Sequence, residues 1–226
     1  GSQHALRFFG TGSGQQDRAK FRLDAPTTGL DVGHDFTLDF WLRADYADNA
    51  GTVSAAATGD GWITGNVVVD RDVYGEGDYG DYGLALGRAG PHLRMAFGAD
   101  AASGLTIVGT NHVGDGTWHH IAVTRAHASG QMRIFVDGRL DAEGTGPTGD
   151  LSYRDGRATS WPQSDPFLVL AAEKHDAGPA YPSLNGYLDE VRVWTQALTQ
   201  AQISNVFRSV IASNTAGLVA YYRFEE

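Results

Sequence analysis

The sequence predicts an all-β fold, two antiparallel sheets packed face to face as a single domain over residues 1–226, and three observations predict it. Short runs of alternating apolar and polar residues recur along the chain, the period-2 pattern of half-buried strands. Glycine is abundant, 30 residues, and falls between those runs, as many strands joined by tight turns require. One block, 114–143, holds three strands in immediate succession. In it the segment from Trp118 to Thr124 alternates around Ile121 and Val123, while Met132, Ile134 and Val136 line one face of the next strand. Asp137-Gly138 then supplies the positive-φ pair of a two-residue hairpin, and the chain returns through 139–143.

Taken in order, alternation bounded by turn residues places strands at 5–9, 19–23, 36–43, 65–70, 82–87, 92–97, 105–109, 118–124, 131–137, 139–143, 167–171, 186–194 and 218–224. Thirteen short strands suit two packed sheets. One helix interrupts them. Thr199-Gln200-Ala201-Gln202 has the form of a capping box, and Ile203, Val206, Phe207 and Val210 make a one-sided apolar stripe. Such a helix is expected to close one rim of the sandwich. There is no internal repeat and no low-complexity tract.

Several segments carry a family likeness: Trp118-His119-His120 with the Asp137-Gly138 hairpin, Phe36-Thr37-Leu38-Asp39-Phe40-Trp41, Leu188-Asp189-Glu190-Val191-Arg192-Val193-Trp194, and the closing Leu218 to Phe224. In these the chain resembles the laminin-G-like (concanavalin A-like lectin/glucanase) jelly rolls over nearly its whole length. The resemblance implies a jelly-roll sandwich and a place outside the cell or on its surface. It is less specific for function, since this fold hosts lectins, adhesion modules, enzymes and spacers.

By strand parity Asp189 shares a face with Tyr187, Val191 and Val193, where a carboxylate needs a partner or a cation. The resemblance implies a structural Ca²⁺ there, held by Asp189 and by backbone carbonyls near Phe9 and Gly12. Phe9 departs from the acidic or amide residue that the family often has before that early glycine. An ion pair with an arginine, or a strand end open to water, is the alternative.

Three loops are longer than turns need, 70–81, 144–166 and 173–185, and they combine acids with aromatics. The densest holds Asp70, Asp72, Glu76, Asp78 and Asp81, spaced somewhat like an EF-hand loop, yet Tyr74 stands where an oxygen donor belongs and no helices flank it. Glu76, Asp78 and Asp81 nearly mimic a glycosidase acid motif, but the intervening glycines weaken any strand that would aim them. His119 and His120 fall on opposite strand faces and cannot share one ion. An enzyme, whether glycoside hydrolase or polysaccharide lyase, should show paired acids of matched parity on an inner strand, or a His/Tyr/Arg set in a groove, and no such set can be read.

A net charge of -10 argues against nucleic acid or an anionic membrane as partner. No apolar run is long enough to cross a bilayer. Cysteine is absent, so no disulfide staples the fold. Gly1-Ser2 has the look of a cloning remnant, and the chain is expected to be a module of a larger exported polypeptide. The expected function is non-catalytic binding of a glycan or other extracellular ligand through rim loops stiffened by Ca²⁺. Asp70, Asp72, Glu76 and Asp78 are expected to contact sugar hydroxyls, with Asp70 and Asp72 also ligating a second Ca²⁺. Tyr74, Tyr79, Trp161 and Tyr181 are expected to stack on the apolar faces of sugar. The alternative is an adhesion or spacer domain that contacts protein.

Overall fold

The computed structural model describes residues 4–12, 17–73, 80–154 and 158–225. Its strands are β1 (Leu6–Phe9), β2 (Ala19–Arg22), β3 (Phe36–Asp45), β4 (Asn66–Arg71), β5 (Asp81–Ala89), β6 (His92–Asp100), β7 (Gly104–Val108), β8 (Asp115–Ala126), β9 (Gln131–Val136), β10 (Arg139–Thr145), β11 (Phe167–Leu170), β12 (Asn185–Trp194) and β13 (Leu218–Tyr222). They form two antiparallel sheets. One runs β1-β12-β3-β8-β9-β10, with β13 pairing the second half of the β12 edge that β1 leaves open; the other runs β2-β11-β4-β5-β6-β7. Every expected strand is present. The Asp137-Gly138 turn has the expected positive φ at both residues, 50° and 77°.

The inner faces build the core. Phe36, Leu38, Phe40 and Leu42 on β3 alternate inward and meet Tyr82, Leu84 and Leu86 of β5 and Met95 and Phe97 of β6. The Phe36 ring lies 4.8 Å from Tyr82 and 6.3 Å from Phe97. Each such side chain contributes roughly 1.5–3 kcal/mol of burial, which lets the domain stand without disulfides.

The outer faces decide where a ligand can approach. On the six-stranded sheet, a loop preceding β4 folds back and lays Trp62 over Gly83 and Gly98; a Cβ at either glycine would come within 2.2 Å of the indole. That part of the face is covered. On the seven-stranded sheet, helix α1 (Gln200–Arg208) starts with the expected capping box and buries Ile203 and Val206 against Ala122, Phe135 and Trp194. It covers the sheet's outer face at one end, not an open rim, and Phe207 packs on Trp41 at 5.6 Å. Val210 falls past the helix end and is exposed.

One parity expectation is corrected here. Between Asp189, opposite Trp41, and Arg192, opposite Asp39, β12 carries two residues against the single Phe40 of β3. This is a β-bulge, and Glu190 within it takes a positive φ of 53°. The extra residue reverses the facing. Val191 and Val193 point into the core, whereas Asp189 faces outward beside Trp41, Arg192 and Phe207.

Candidate functional site: an acidic rim around His175

The site forms where β4 and β11 end side by side, with Val169 opposite Asp70. Asp70 is fully buried, and both its oxygens are occupied by backbone N–H groups: Asp72 donates at 2.7 Å and Lys174 at 2.8 Å. It therefore fastens the exit of β4 to the 171–176 turn and is not open to a ligand. The Lys174 ammonium turns inward, where the carbonyls of Asp165 and Phe167 accept its protons at 3.3 and 3.2 Å.

His175 is the centre. Its Nδ1 lies 2.9 Å from Glu173 and 3.7 Å from Asp72, and its Nε2 lies 2.6 Å from Asp165. Burial alone would lower the His175 pKa, but the hydrogen bonds to Asp165 and Glu173 outweigh it and raise it to about 9. The ring is thus an imidazolium donating from both nitrogens. Burial, and then the neighbouring Asp70 and Asp81 carboxylates, push Asp72 up to about 7. Around Asp72 the Asp70 and Asp81 carboxylates oppose its ionisation, and Lys174 and His175 offset them only in part. Trp161 closes one side. Its backbone N–H donates to Asp165 at 3.0 Å, and its ring, 51% exposed, stands 6.3 Å from the His175 ring.

Of the residues expected from sequence, Asp70, Asp72 and Trp161 are brought together here. Tyr181 sits on the tight turn that pairs with Gly178 and, among the described residues, makes no ring contact with Trp161 or His175. Tyr74, Glu76, Asp78 and Tyr79 lie outside the described residues. Phe9 and Gly12 belong to a turn held by Asp17, whose carboxylate accepts from the backbone N–H groups of Phe9 (2.9 Å) and Thr11 (2.7 Å). Phe9 pairs with Asn185, four residues before Asp189, so the two stations lie roughly 13 Å apart along the strand. The structure does not bring Asp189 to Phe9 and Gly12, and the expected structural Ca²⁺ set does not converge. Glu173, Lys174 and His175 were not expected as site residues. The signal available was a run of four ionisable residues, Glu173 to Asp176, directly after the apolar β11.

Two packed antiparallel sheets of this strand order define a jelly-roll sandwich. The chain belongs to the concanavalin A-like lectin/glucanases superfamily: the Laminin_G_3 family model matches residues 16–204. A rat protein, sushi, von Willebrand factor type A, EGF and pentraxin domain-containing protein 1, is 30% identical over 100 residues, which is 43% of this chain and 3% of that protein. The chain thus spans a small fraction of that relative's length. Among solved structures, the heptameric SAP-like pentraxin of Limulus polyphemus is similar with a TM-score of 0.57 at 15% identity, over 97% of this chain and 91% of its own. The CBM40 of the Ruminococcus gnavus IT-sialidase, bound to alpha2,3 sialyllactose, gives 0.56 at 12% identity, over 92% and 99%. At these identities the likeness is one of fold.

Proposed function

We propose that this domain is a non-catalytic glycan-binding module that works outside the cell, with its recognition site on the rim around His175. One observation carries the reading: a half-exposed Trp161 stands beside the carboxylates of Asp165, Glu173 and Asp72 that surround His175. Carboxylates such as Asp72 and Glu173 accept hydrogen bonds from sugar hydroxyls, and an indole face covers the apolar side of a pyranose. The sialyllactose bound to the Ruminococcus gnavus module belongs to the same ligand class on a similar sandwich.

The same rim suits a divalent cation. Ligand atoms of Asp72, Glu173 and His175 lie within 4.8 Å of one another, an oxygen–oxygen–nitrogen set. Bound there, a cation would offset the Asp72 and Glu173 carboxylates and polarise sugar hydroxyls. Ca²⁺ would rely on the carboxylates, whereas a metal that takes imidazole nitrogen would first have to displace a proton from His175.

A glycan array probed with and without EGTA, beside elemental analysis of the purified protein, tests the reading. Binding to a defined glycan that weakens in Trp161→Ala and Asp72→Asn supports it. Hydrolysis of a bound polysaccharide, or binding indifferent to both variants, contradicts it. A second reading, an adhesion or spacer unit contacting protein within a larger surface polypeptide, draws on the match to the multidomain rat relative.

A further inference from the structure

Helix α1 covers only one end of the seven-stranded sheet's outer face, and the uncovered end has its own organisation. Strand register places Arg43 opposite Trp118 on β8 and opposite Tyr187 on β12, and Tyr187 opposite Arg7 on β1. Trp118, Arg43, Tyr187 and Arg7 therefore form one row across four neighbouring strands, aromatic and guanidinium in alternation. At one strand spacing per step the row is about 14 Å long. Trp118, Arg43 and Tyr187 line an open cleft of ≈ 980 Å³ that also reaches Tyr221, Arg223, Phe224 and Glu225.

The row is pre-assembled. The Arg7 and Arg43 guanidinium carbons stand 4.9 and 5.7 Å from the centre of the Tyr187 ring, which is held between two cations. Trp118 meets Tyr187 edge to face at 6.2 Å and is 38% exposed. Arg7 donates to the Gly186 carbonyl and the Asn185 side chain, and Arg43 to the Gly116 carbonyl. All of these acceptors are neutral. Among the described residues neither arginine has a carboxylate within 4.0 Å. Each guanidinium carries five N–H donors, so Arg7 keeps three in reserve and Arg43 four. In a protein of net charge -10, two guanidiniums flanking one tyrosine with no carboxylate partner are out of keeping with a merely solvated surface.

We propose that this row is a second binding site, which takes an anionic polysaccharide by its carboxylate or sulfate groups. The arginine forks match planar or tetrahedral oxyanions bidentately and lose little freedom on binding because Tyr187 already fixes them. Trp118 at the end of the row offers a ring face to a sugar next to the anionic group held by Arg43. A linear polymer can lie across the strands because the cleft is open. This site is separate from the acidic rim, whose charge would repel such a ligand, and it does not depend on the rim for its chemistry.

The test is calorimetric titration at fixed salt with four polymers: heparin, polygalacturonate (carboxylate alone), dextran sulfate (sulfate alone) and neutral dextran. Binding is expected to one or more charged polymers and not to dextran, and the second and third polymers tell carboxylate from sulfate. Arg43→Gln and Arg7→Gln should each weaken binding roughly tenfold or more, the loss of a charge-assisted hydrogen-bonded contact. Arg43→Lys, which keeps the charge and the fold, should recover only part of it. Asp72→Asn, at the rim, should leave it unchanged, so failure here is distinguishable from failure of the rim reading. No binding to any charged polymer, equal binding to dextran, or binding untouched by both arginine variants overturns the proposal. So does polyglutamate binding as tightly as the polysaccharides, which would reassign the row to an acidic protein partner.

Discussion

Asp39 offers the most demanding test of how the seven-stranded sheet is held. It lies at the middle of β3 with no exposed surface, under helix α1. Three groups from two neighbouring strands converge on its carboxylate: Trp194 Nε1 donates at 2.6 Å, His120 Nε2 lies at 3.0 Å, and Arg192 Nε forms an ion pair at 2.9 Å. Arg192 is only 1% exposed, so it has no water to turn to. Asp39→Ala leaves that buried cation with only Glu190, 4.0 Å away, as counter-charge, and breaking a buried pair costs up to about 3–5 kcal/mol. For a domain of this size each kcal/mol lowers Tm by roughly 2–4 °C, so the loss should fall at roughly 6–20 °C. Thermal unfolding followed by near-ultraviolet circular dichroism reads it directly. Adding Arg192→Met to Asp39→Ala removes the orphaned charge and should recover more than half of the loss. A Tm for Asp39→Ala within ~2 °C of the parent would refute the reasoning, and so would a double variant no better than the single one.

Two further predictions concern ionisable groups elsewhere on the same sheet. Burial, followed by repulsion from Glu190 and Glu225, raises the Asp189 pKa. A carboxylate whose charge is disfavoured by folding destabilises the protein at neutral pH. Asp189→Asn should therefore match or exceed the parent Tm near pH 7 and leave any response to EGTA unchanged; a lowered Tm with a lost EGTA response would show a cation at Asp189 after all. The hydrogen bond to Asp137 raises His119 above 6.5, against the opposing effect of burial. Because the folded value exceeds the unfolded one, this contribution is complete below pH ~6.5 and fades as pH rises through the folded pKa. Asp137→Asn suits the positive-φ turn and keeps an acceptor, yet it should flatten the fall in Tm across that window. An unchanged slope would count against the pair.

The strands were legible because nearly every one is half-buried, so that period 2 appears in the residues themselves: Phe36, Leu38, Phe40 and Leu42 alternate in sequence and in space. The helix was legible from its cap. Asp189 was misread for a definite reason. Parity counting assumes an unbroken ladder, and the bulge at Glu190 inserts one residue with no glycine to announce it. The rim was half legible. Asp70 and Asp72 stood out as acids in a long loop, but their partners Glu173 and His175 follow about a hundred residues later and join them only through the β4–β11 pairing. Burial then divided the two: Asp70 became a backbone fastener and Asp72 a ligand candidate. The Trp118–Arg43–Tyr187–Arg7 row could not be read at all, because each member comes from a different strand and only register aligns them.

The rim reading is tested most directly by one measurement, glycan-array binding of the parent protein beside Trp161→Ala and Asp72→Asn, each with and without EGTA. A stacked indole is expected to contribute roughly 1–3 kcal/mol, which is about a five- to hundredfold loss of affinity in Trp161→Ala. Asp72→Asn should weaken the same glycan and abolish whatever EGTA sensitivity the parent shows, with the melting temperatures of both variants close to the parent. Binding retained in full by both variants, or lost only in step with stability, would contradict the assignment of the site to the His175 rim.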